Sequence, residues 1–501
     1  MKKWKSVEEV HTHALKAVDK QIKDIVKEDS LQKYYAQPRN KGWIGNSIES
    51  DWFGIPNNSR NEADIPYLGL EIKVTPIRKT RNGWSAKERL VLNVFDFFDE
   101  YKRKFSNASF IEKANLIEML YYEHLKDIPS PEYFIKAATL FDLHNLPRED
   151  LLIIEQDWNV IVEKIKEGKA EELSDSLTKY LGATTKGSKT EKNMTAQPFS
   201  EQKAHRRAFT LKGAYMSQVA RRIMGDQEKD EKVIQDDTEL EKKTFEEVVL
   251  EKFQPFIGQS KNELAEYFDV DIPKRNDKAS SAILAKKMLN LEGDIQNTEE
   301  FKKAGISVKI ITVNSGKKRT TEGFKLTIPE NTNLNPKDIV VESWEESILR
   351  EYLSSYQFLL VIYEKTKDGT TFKGAKFWRI PYQDLEAEVK ETWKATKKIF
   401  EEGVTLTYKE YSKPTSRGRT YYVENNLPST SSGKILHVRP SAKHACYYND
   451  KKHAMQLPSK SKWIGRPEEL SQTELTDYYM TKQAWWLNPS YMYNQVKEFF
   501  E

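Results

Sequence analysis

The pattern of hydrophobic and polar residues predicts both helices and strands in the first half of the chain. Hydrophobic residues recur at helical spacing over residues 6–28, which predicts an amphipathic helix. Residues 68–74 alternate between hydrophobic and polar and predict a strand, and the hydrophobic run at 89–98 predicts a second, buried strand. Helical patterns return over residues 157–180 and 205–216. The chain is therefore expected to be an α/β protein.

The first predicted strand carries two charged side chains on one side. Side chains two positions apart on a strand point the same way, so Glu71 and Lys73 lie opposite the hydrophobic residues. Asp64, seven positions before Glu71, adds a second carboxylate. Carboxylates are ligands for Mg²⁺, and a lysine beside them stabilises negative charge or positions a nucleophile. The tripeptide Glu-Ile-Lys alone is more typical of a solvated strand face, so its surroundings decide between these interpretations.

The surroundings of this strand form a larger arrangement. Residues 41–49, Lys-Gly-Trp-Ile-Gly-Asn-Ser-Ile-Glu, predict a helix that carries Glu49, and further matching segments lie at 87–93 and 109–113. In this order and spacing, the segments resemble the mismatch-repair nicking endonuclease MutH and the GATC-cutting restriction enzymes of the Sau-three-A-one type. The resemblance covers most of both halves of the chain, at the length of the restriction enzymes. It implies the PD-(D/E)xK restriction-endonuclease fold, a mixed sheet flanked by helices.

Residue type and this resemblance together imply a role for each residue of the cluster. Asp64 and Glu71 would hold Mg²⁺ against the scissile phosphate, and Glu49 would hold a metal-bound water or a second ion. Lys73 would orient the attacking hydroxide, and Lys113 corresponds to a further family lysine near the site. The implied reaction is hydrolysis of phosphodiester bonds in double-stranded DNA. The GATC site is supplied by the resemblance alone.

The second half of the chain repeats the first. Residues 64–73 return as residues 300–309, displaced by 236 positions. Residues 209–216 match residues 485–492, displaced by 276 positions, so the second copy contains about forty extra residues. Two tandem domains of the same fold are therefore expected.

The second copy lacks most of the expected metal-binding carboxylates. Ser307 replaces the strand glutamate and Ala285 replaces the helix glutamate, while Glu300 and Lys309 remain. If Ser347 is aligned with Ser109, Glu351 stands at the position of Lys113. This copy is expected to bind DNA without cutting it. Occupancy of its cleft is expected to favour cleavage in the first copy, so that the protein engages two GATC sites. The alternative is that it only widens the phosphate-binding surface.

Length and charge agree with two domains. The 501 residues exceed the usual limit of ~250–300 for one core. We expect a catalytic domain at residues 1–225, a charged linker or exposed helix at 226–244, and a DNA-binding effector domain at 245–501. The net charge of +4 identifies no partner, but residues 183–222 contain nine Lys and Arg against two Glu, and residues 434–466 contain eight against one Asp. These segments indicate two phosphate-binding surfaces or, alternatively, two solvated loops.

The basic segments supply candidate DNA contacts. Residues 436–440, Leu-His-Val-Arg-Pro, resemble the family's specificity loop, whose arginine contacts the recognition site. The first copy reads Ala-Thr-Thr-Lys at 183–186 and departs from the pattern at the arginine. A solvated helix face is an alternative for the basic residues at 206, 207 and 212. The full set of candidate DNA contacts is Lys41, Thr184, Lys186, Arg206, Arg207, Lys212, Arg439 and Lys443.

Other residue types narrow the class of protein. Cys446 is the single cysteine, which excludes an intramolecular disulfide and a multi-thiolate zinc site, and the eight histidines show no metal-ligand spacing. No run of about 18 apolar residues predicts a membrane span, so a cytoplasmic protein is expected. We expect a monomer when the protein is free, with a dimer on DNA as an alternative to a monomer there. One rival function is a repair nickase, against which the fused second copy argues. Another is a non-catalytic DNA-binding scaffold, against which the intact first cluster argues.

Overall fold

The computed structural model describes residues 3–38, 42–56, 62–80, 83–125, 128–187, 193–226, 230–272, 277–328, 332–416 and 418–501. These residues form two compact units, each of which also takes a segment from the middle of the chain. The first unit comprises Met1–Lys252 and Lys286–Ser307, and the second comprises Phe253–Ala285 and Val308–Glu501. None of the helices within the described residues is both long and apolar enough to cross a membrane.

Helices and strands are mixed along the whole described chain, which confirms the expected α/β class. The helices are α1 (Val7–Leu15), α2 (Ile22–Ile25), α3 (Glu28–Ala36), α4 (Trp43–Ser47), α5 (Phe97–Glu100), α6 (Ser109–Ala114), α7 (Arg148–Lys166), α8 (Gly213–Ile223), α9 (Phe245–Glu251), α10 (Lys261–Tyr267), α11 (Asp277–Met288), α12 (Glu299–Ala304), α13 (Pro336–Val341), α14 (Ile348–Ser355), α15 (Tyr382–Asp384), α16 (Lys390–Glu402) and α17 (Pro489–Asn494). The strands are β1 (Leu70–Thr80), β2 (Gly83–Ala86), β3 (Leu90–Phe95), β4 (Leu116–Glu123), β5 (Ile135–Asp142), β6 (Leu181–Thr185), β7 (Met194–Gln197), β8 (Ser200–His205), β9 (Arg207–Leu211), β10 (Ile306–Asn314), β11 (Phe324–Lys325), β12 (Gln357–Lys365), β13 (Thr370–Trp378), β14 (Thr405–Glu410), β15 (Tyr421–Asn425), β16 (Leu436–Pro440), β17 (Ala454–Gln456), β18 (Lys462–Ile464), β19 (Tyr479–Thr481) and β20 (Gln483–Leu487).

The first unit is built on a mixed sheet with the order β2-β1-β4-β5. Strand β1 runs parallel to β4 and antiparallel to β2, and β4 runs antiparallel to β5. Hydrophobic residues from α1, α4 and the strands pack into one core, which includes Val10, Ile48, Ile72 and Leu120. A second sheet, β3-β9-β6, is antiparallel throughout.

The second unit contains two sheets with a corresponding strand order. The order β10-β12-β13 matches β1-β4-β5, and the order β11-β20-β16 matches β3-β9-β6. A glycine in the left-handed region precedes each leading strand, with φ of 61° at Gly69 and 66° at Gly305. Glycine is favoured at both positions because this backbone conformation is costly for residues with a Cβ atom.

Two predicted helices have different bounds in the structure. The helix expected over residues 6–28 is broken, since α1 ends at Leu15 and the backbone turns at Asp19, where φ is 63°. The helix expected over residues 157–180 begins nine residues earlier, at Arg148, and ends at Lys166. The helix ends there because Gly168 has φ of 68°, a backbone conformation that cannot continue a right-handed helix.

The buried strand predicted over residues 89–98 is confirmed as β3, and the helix predicted over 205–216 is confirmed only from Gly213, because short hydrophobic runs do not distinguish helix from buried strand. The strand expected over residues 89–98 ends at Phe95, because the Asp96 side chain accepts a hydrogen bond from the Phe98 amide and caps α5. Within the helix expected over residues 205–216, Arg207–Leu211 form strand β9, and helix α8 begins only at Gly213. Strand β9 lies between β3 and β6 and is buried along its whole length, so its residues do not alternate.

Candidate active site

Strand β1 places Glu71 and Lys73 side by side, as the alternation predicts. The Lys73 Nζ atom lies 2.5 Å from Glu71 Oε1. Glu71 is only 1% exposed, and burial raises the pKa of its carboxyl group. The Lys73 side chain is 27% exposed, so it extends from the buried carboxylate toward the surface of the unit.

A tight turn brings Asp64 back onto the same strand. Ile65 pairs with Leu70 through two backbone hydrogen bonds, of 2.9 Å and 3.3 Å, around the turn that contains Gly69. This pairing lets Asp64 Oδ2 accept a hydrogen bond of 2.9 Å from the amide of Ile72. The Asp64 carboxylate is therefore held on the backbone at Ile72, between Glu71 and Lys73.

Glu49 enters the site from a widened helical turn that follows α4. The amide of Phe53 donates to the carbonyl of Ile48, five residues earlier, at 3.1 Å. Such widened turns occur frequently at functional sites. Burial, followed by the negative charge of Asp64, raises the pKa of Glu49 to about 7.

Lys113 completes the cluster from the last turn of α6. Its positive charge lowers the pKa of Glu49 and of Glu71, against the effect of burial. The structure therefore brings together all five residues that the sequence analysis assigned to catalysis, although they come from four separate segments. Three carboxylates and two ammonium groups share one site.

The donor set of this site fits a hard divalent cation. Glu71 Oε2 is buried and makes no hydrogen bond within the described residues. An unpaired buried carboxylate oxygen is costly unless a cation or a proton satisfies it. With Asp64 and Glu49 it offers the oxygen ligands that Mg²⁺ and similar ions prefer, and the residues present therefore fit such an ion.

The predicted DNA contacts of the first unit fall into two groups. Lys186 and Arg206 are both exposed, and the Lys186 amide donates to the Arg206 carbonyl at 2.8 Å, so these two cations lie next to each other. Thr184 is positioned by Arg89, whose Nη1 atom donates a hydrogen bond to Thr184 Oγ1 at 3.0 Å. The same Arg89 atom also pairs with Asp175. These two supporting residues could not be predicted, because no local sequence pattern marks them. Lys41 lies outside the described residues.

Arg207 and Lys212 are interior residues, and their assignment as phosphate contacts was wrong. Arg207 is 6% exposed and donates to the Ala183 carbonyl and to Thr185 Oγ1, at 3.3 Å and 3.1 Å. Lys212 is 5% exposed and donates to the Thr178 carbonyl, and burial lowers its pKa to about 8. These groups stabilise the sheet β3-β9-β6 from within.

The second unit presents Arg439 and Lys443 at its surface. Both residues are exposed, at the end of β16 and in the loop that follows it. The Arg439 guanidinium lies 4.8 Å from the ring centroid of Trp486, a stacking partner that the sequence analysis did not identify. This stacking orients the guanidinium while leaving its edge accessible.

The remaining positions of the second copy offer little for metal binding. Ala285 is fully buried, and Lys309 Nζ donates to Thr327 Oγ1 at 3.2 Å. Glu300, expected to correspond to Asp64, is instead a buried residue of the first unit that accepts hydrogen bonds from the amides of Val233 and Ile234, at 3.0 Å and 2.9 Å. The expectation of a retained carboxylate in the second cleft was therefore wrong.

Comparison with known proteins agrees with this site. The family model for the DNA mismatch repair enzyme MutH matches residues 53–157, a segment that contains Asp64, Glu71, Lys73 and Lys113. The type II restriction enzyme Sau3AI of Staphylococcus aureus is 34% identical over 99% of this chain and 100% of its own length. The chain belongs to the Sau3AI family of type II restriction enzymes.

Relatives of the repair type match a smaller part of the chain. The DNA mismatch repair protein MutH of Shewanella oneidensis is 28% identical over 37% of this chain and 82% of its own length. The MutH protein of Shewanella amazonensis is 32% identical over 27% of this chain and 58% of its own length. The expected resemblance is therefore confirmed, and so is the expectation of an enzyme, a site-specific DNA nuclease with a MutH-like domain.

Proposed function

We propose that this Sau3AI-family nuclease hydrolyses both strands of duplex DNA at GATC in a Mg²⁺-dependent reaction. The observation that carries the proposal is the cluster of Glu49, Asp64, Glu71 and Lys73, in which Glu71 is buried and its Oε2 atom has no hydrogen-bond partner within the described residues. The 34% identity to Sau3AI over 99% of the chain supports the restriction reaction, and the GATC site is proposed from the family resemblance described above.

The mechanism assigns a separate task to each residue of the cluster. Asp64, Glu71 and Glu49 would hold Mg²⁺, which supplies Lewis acidity at the scissile phosphate when bound. Glu71 Oε1 fixes the Lys73 ammonium, which donates a hydrogen bond to the attacking water and favours its ionised form. Lys113 adds positive charge where negative charge develops on the phosphate. Positioning and charge neutralisation therefore account for most of the catalysis.

We propose that the second unit is a MutH-like domain that binds a second GATC site without cutting it. The corresponding strand orders of the two units support a tandem duplication. Ser307 stands at the strand position of Glu71, and buried Ala285 stands at the position of Glu49, so the second copy lacks the carboxylates that a Mg²⁺ site needs. Exposed Arg439, stacked on Trp486, is available to read a base edge.

We propose that residues 1–225 carry out catalysis and that residues 245–501 form the effector domain, with the charged segment 226–244 between them. Residues up to Lys252 and the segment Lys286–Ser307 nevertheless belong to the first compact unit. We propose that the protein is a monomer in solution and dimerises on DNA, where the effector domain increases the rate of cleavage. Sedimentation velocity with and without duplex GATC DNA tests the association state. A dimer without DNA would contradict the proposal.

A repair nickase is the second candidate function, and it is favoured by the MutH match to residues 53–157. Incubation with plasmid DNA, with and without Mg²⁺, followed by sequencing of the ends distinguishes the candidates. Double-strand ends at GATC support the restriction enzyme, and persistent single nicks support the nickase. Intact DNA that migrates slowly on a gel supports the rival proposal of a non-catalytic scaffold.

The effector proposal is tested by comparing plasmids of equal length that carry one or two GATC sites. We expect faster cleavage of the two-site plasmid and stimulation of the one-site plasmid by a short GATC duplex added in trans. Arg439→Ala should remove both effects without lowering the rate on the one-site plasmid alone. A point substitution is preferred to truncation because Lys286–Ser307 belongs to the first unit. Equal rates for the two plasmids would show that the second copy is not an effector.

A further inference from the structure

A cluster of two histidines and one aspartate lies in the second unit, in the loop between β16 and β17. His444, Asp450 and His453 each offer one ligand atom, and these three atoms lie within 4.8 Å of one another. His453 Nδ1 is 2.8 Å from Asp450 Oδ2, and the two imidazole ring centroids are 3.7 Å apart. The histidines show no metal-ligand spacing in the sequence, because eight residues lie between the two that meet here.

Backbone hydrogen bonds hold two of the three side chains in place. Asp450 Oδ1 accepts a hydrogen bond of 2.7 Å from the Lys452 amide, and the Asp450 carbonyl accepts from the His453 amide at 3.1 Å. His453 directly precedes β17, and its carbonyl accepts from the Lys482 amide at 2.9 Å. Asp450 and His453 therefore form a fixed pair, while exposed His444 completes the cluster from the other end of the loop.

We propose that His444, Asp450 and His453 bind a divalent transition-metal ion of the Zn²⁺ class that fixes the loop at residues 441–453. Imidazole nitrogens with one carboxylate are a typical donor set for Zn²⁺, whereas Mg²⁺ prefers oxygen ligands. Ligand atoms of a tetrahedral zinc ion lie about 3.3 Å apart, given zinc–ligand bonds of ~2.0–2.1 Å. The observed spread of up to 4.8 Å exceeds this distance, so metal binding requires the side chains to rotate toward one another.

The neighbouring lysines leave space for a cation. Lys482 Nζ donates to the carbonyl of Lys451 at 2.6 Å and is thereby held on the backbone. The nearby Lys443 and Lys452 side chains are exposed and can extend into solvent. The repulsion between these charges and a bound ion is therefore weakened by water.

Backbone hydrogen bonds connect the loop at residues 441–453 to the end of β16, the strand that carries Arg439. The Ser441 amide donates to the Lys482 carbonyl at 2.7 Å, and the Lys482 amide donates to the His453 carbonyl. Arg439 lies two residues before Ser441, and Lys443 lies within the loop itself. We therefore expect bound metal to position both residues for DNA, a consequence that rests on the proposed function of the second unit.

Metal content tests the site independently of DNA. The protein is stripped with chelator, incubated with ZnCl₂, desalted, and analysed by mass spectrometry in a Glu71→Gln background, which weakens metal binding at the catalytic cluster. We expect one zinc per chain, and at least a tenfold weaker affinity after His444→Ala or His453→Ala. His144→Ala, which removes another exposed histidine, should leave the zinc content unchanged. Absence of stoichiometric zinc, or equal retention in all variants, would overturn the proposal.

Cobalt provides a second readout of the coordination sphere. Replacement of zinc by Co²⁺ should produce visible absorption typical of a four-coordinate site, and this absorption should disappear in Asp450→Asn. Removal of the metal should then weaken binding of a short GATC duplex severalfold in the wild-type chain and not in His444→Ala. Stoichiometric zinc with unchanged DNA affinity would retain the site and refute its link to DNA binding.

Discussion

Substitution of Glu71 by Gln tests the active site most directly, because the two side chains have almost the same volume. The substitution removes a buried charge whose Oε2 atom has no hydrogen-bond partner, which relieves about 1–3 kcal/mol. It also weakens the pair with Lys73, which is partly exposed, at a cost of about 1 kcal/mol or less. Without metal, the variant should therefore be as stable as the wild type or up to about 3 kcal/mol more stable.

Addition of Mg²⁺ should raise the Tm of the wild type but not that of Glu71→Gln. At a concentration of 100 times Kd, a ligand stabilises the folded state by about 2.7 kcal/mol, which corresponds to roughly 5–10 °C in Tm for a unit of this size. The wild type should show this increase and the Gln variant should not. Cleavage of a GATC plasmid by the variant should fall by about 10²–10³-fold or more, because a carboxylate that supports the transition state is lost.

Glu118→Gln is a matched control for this experiment. Glu118 is fully buried in the neighbouring strand β4, where it lies 3.0 Å from His11 Nδ1. In the sheet register it pairs with Ile72, so its side chain lies on the face opposite Glu71. The control should cut DNA normally and should keep the Mg²⁺-dependent rise in Tm. Cleavage by Glu71→Gln within tenfold of the wild-type rate, or an unchanged Mg²⁺ response, would refute the assignment.

Four further predictions concern other parts of the chain. Ser307→Ala should leave the cleavage rate unchanged in a plasmid assay, since this serine replaces the metal-binding carboxylate in the copy proposed to be inactive. Arg439→Ala should reduce discrimination between GATC and mismatched duplexes by about 1–3 kcal/mol in competition binding, whereas an equal loss for all sequences would identify a phosphate contact. Arg206→Ala should lower the slope of log affinity against log salt concentration by about 0.9, the value for one neutralised phosphate, and an unchanged slope would remove Arg206 from the interface. Burial raises the pKa of Glu300 to about 7, so between pH 4.5 and 7 the unfolded chain loses a proton that the folded chain keeps. The contribution of Glu300 to the free energy of unfolding should therefore fall by up to about 3 kcal/mol as pH rises through that range. Urea titrations should show a fall that is larger by this amount in the wild type than in Glu300→Gln, which keeps the smaller fall caused by Glu49.

The site residues on β1 could be predicted because strand geometry is local. Alternation alone puts Glu71 and Lys73 on one side, and the structure places their charged atoms 2.5 Å apart. The corresponding strand orders of the two units also have a local signal, in the repeated segments around Gly69 and Gly305. Such features depend on residues close in sequence, so a single sequence is enough to predict them.

The tertiary structure decided which hydrophobic runs form buried strands and which charged residues are buried, because local patterns do not contain this information. Strand β9 was predicted as helix because a strand covered on both faces loses its alternation, and Arg207 was predicted to be a surface residue for the same reason. Glu300 kept its place in the repeat but is satisfied by amides more than sixty residues earlier. The His444–Asp450–His453 cluster likewise depends on how a loop folds back on itself. Sequence therefore determined which side of β1 carries the chemistry, whereas burial and long-range hydrogen bonds determined which charged groups remain available to a ligand.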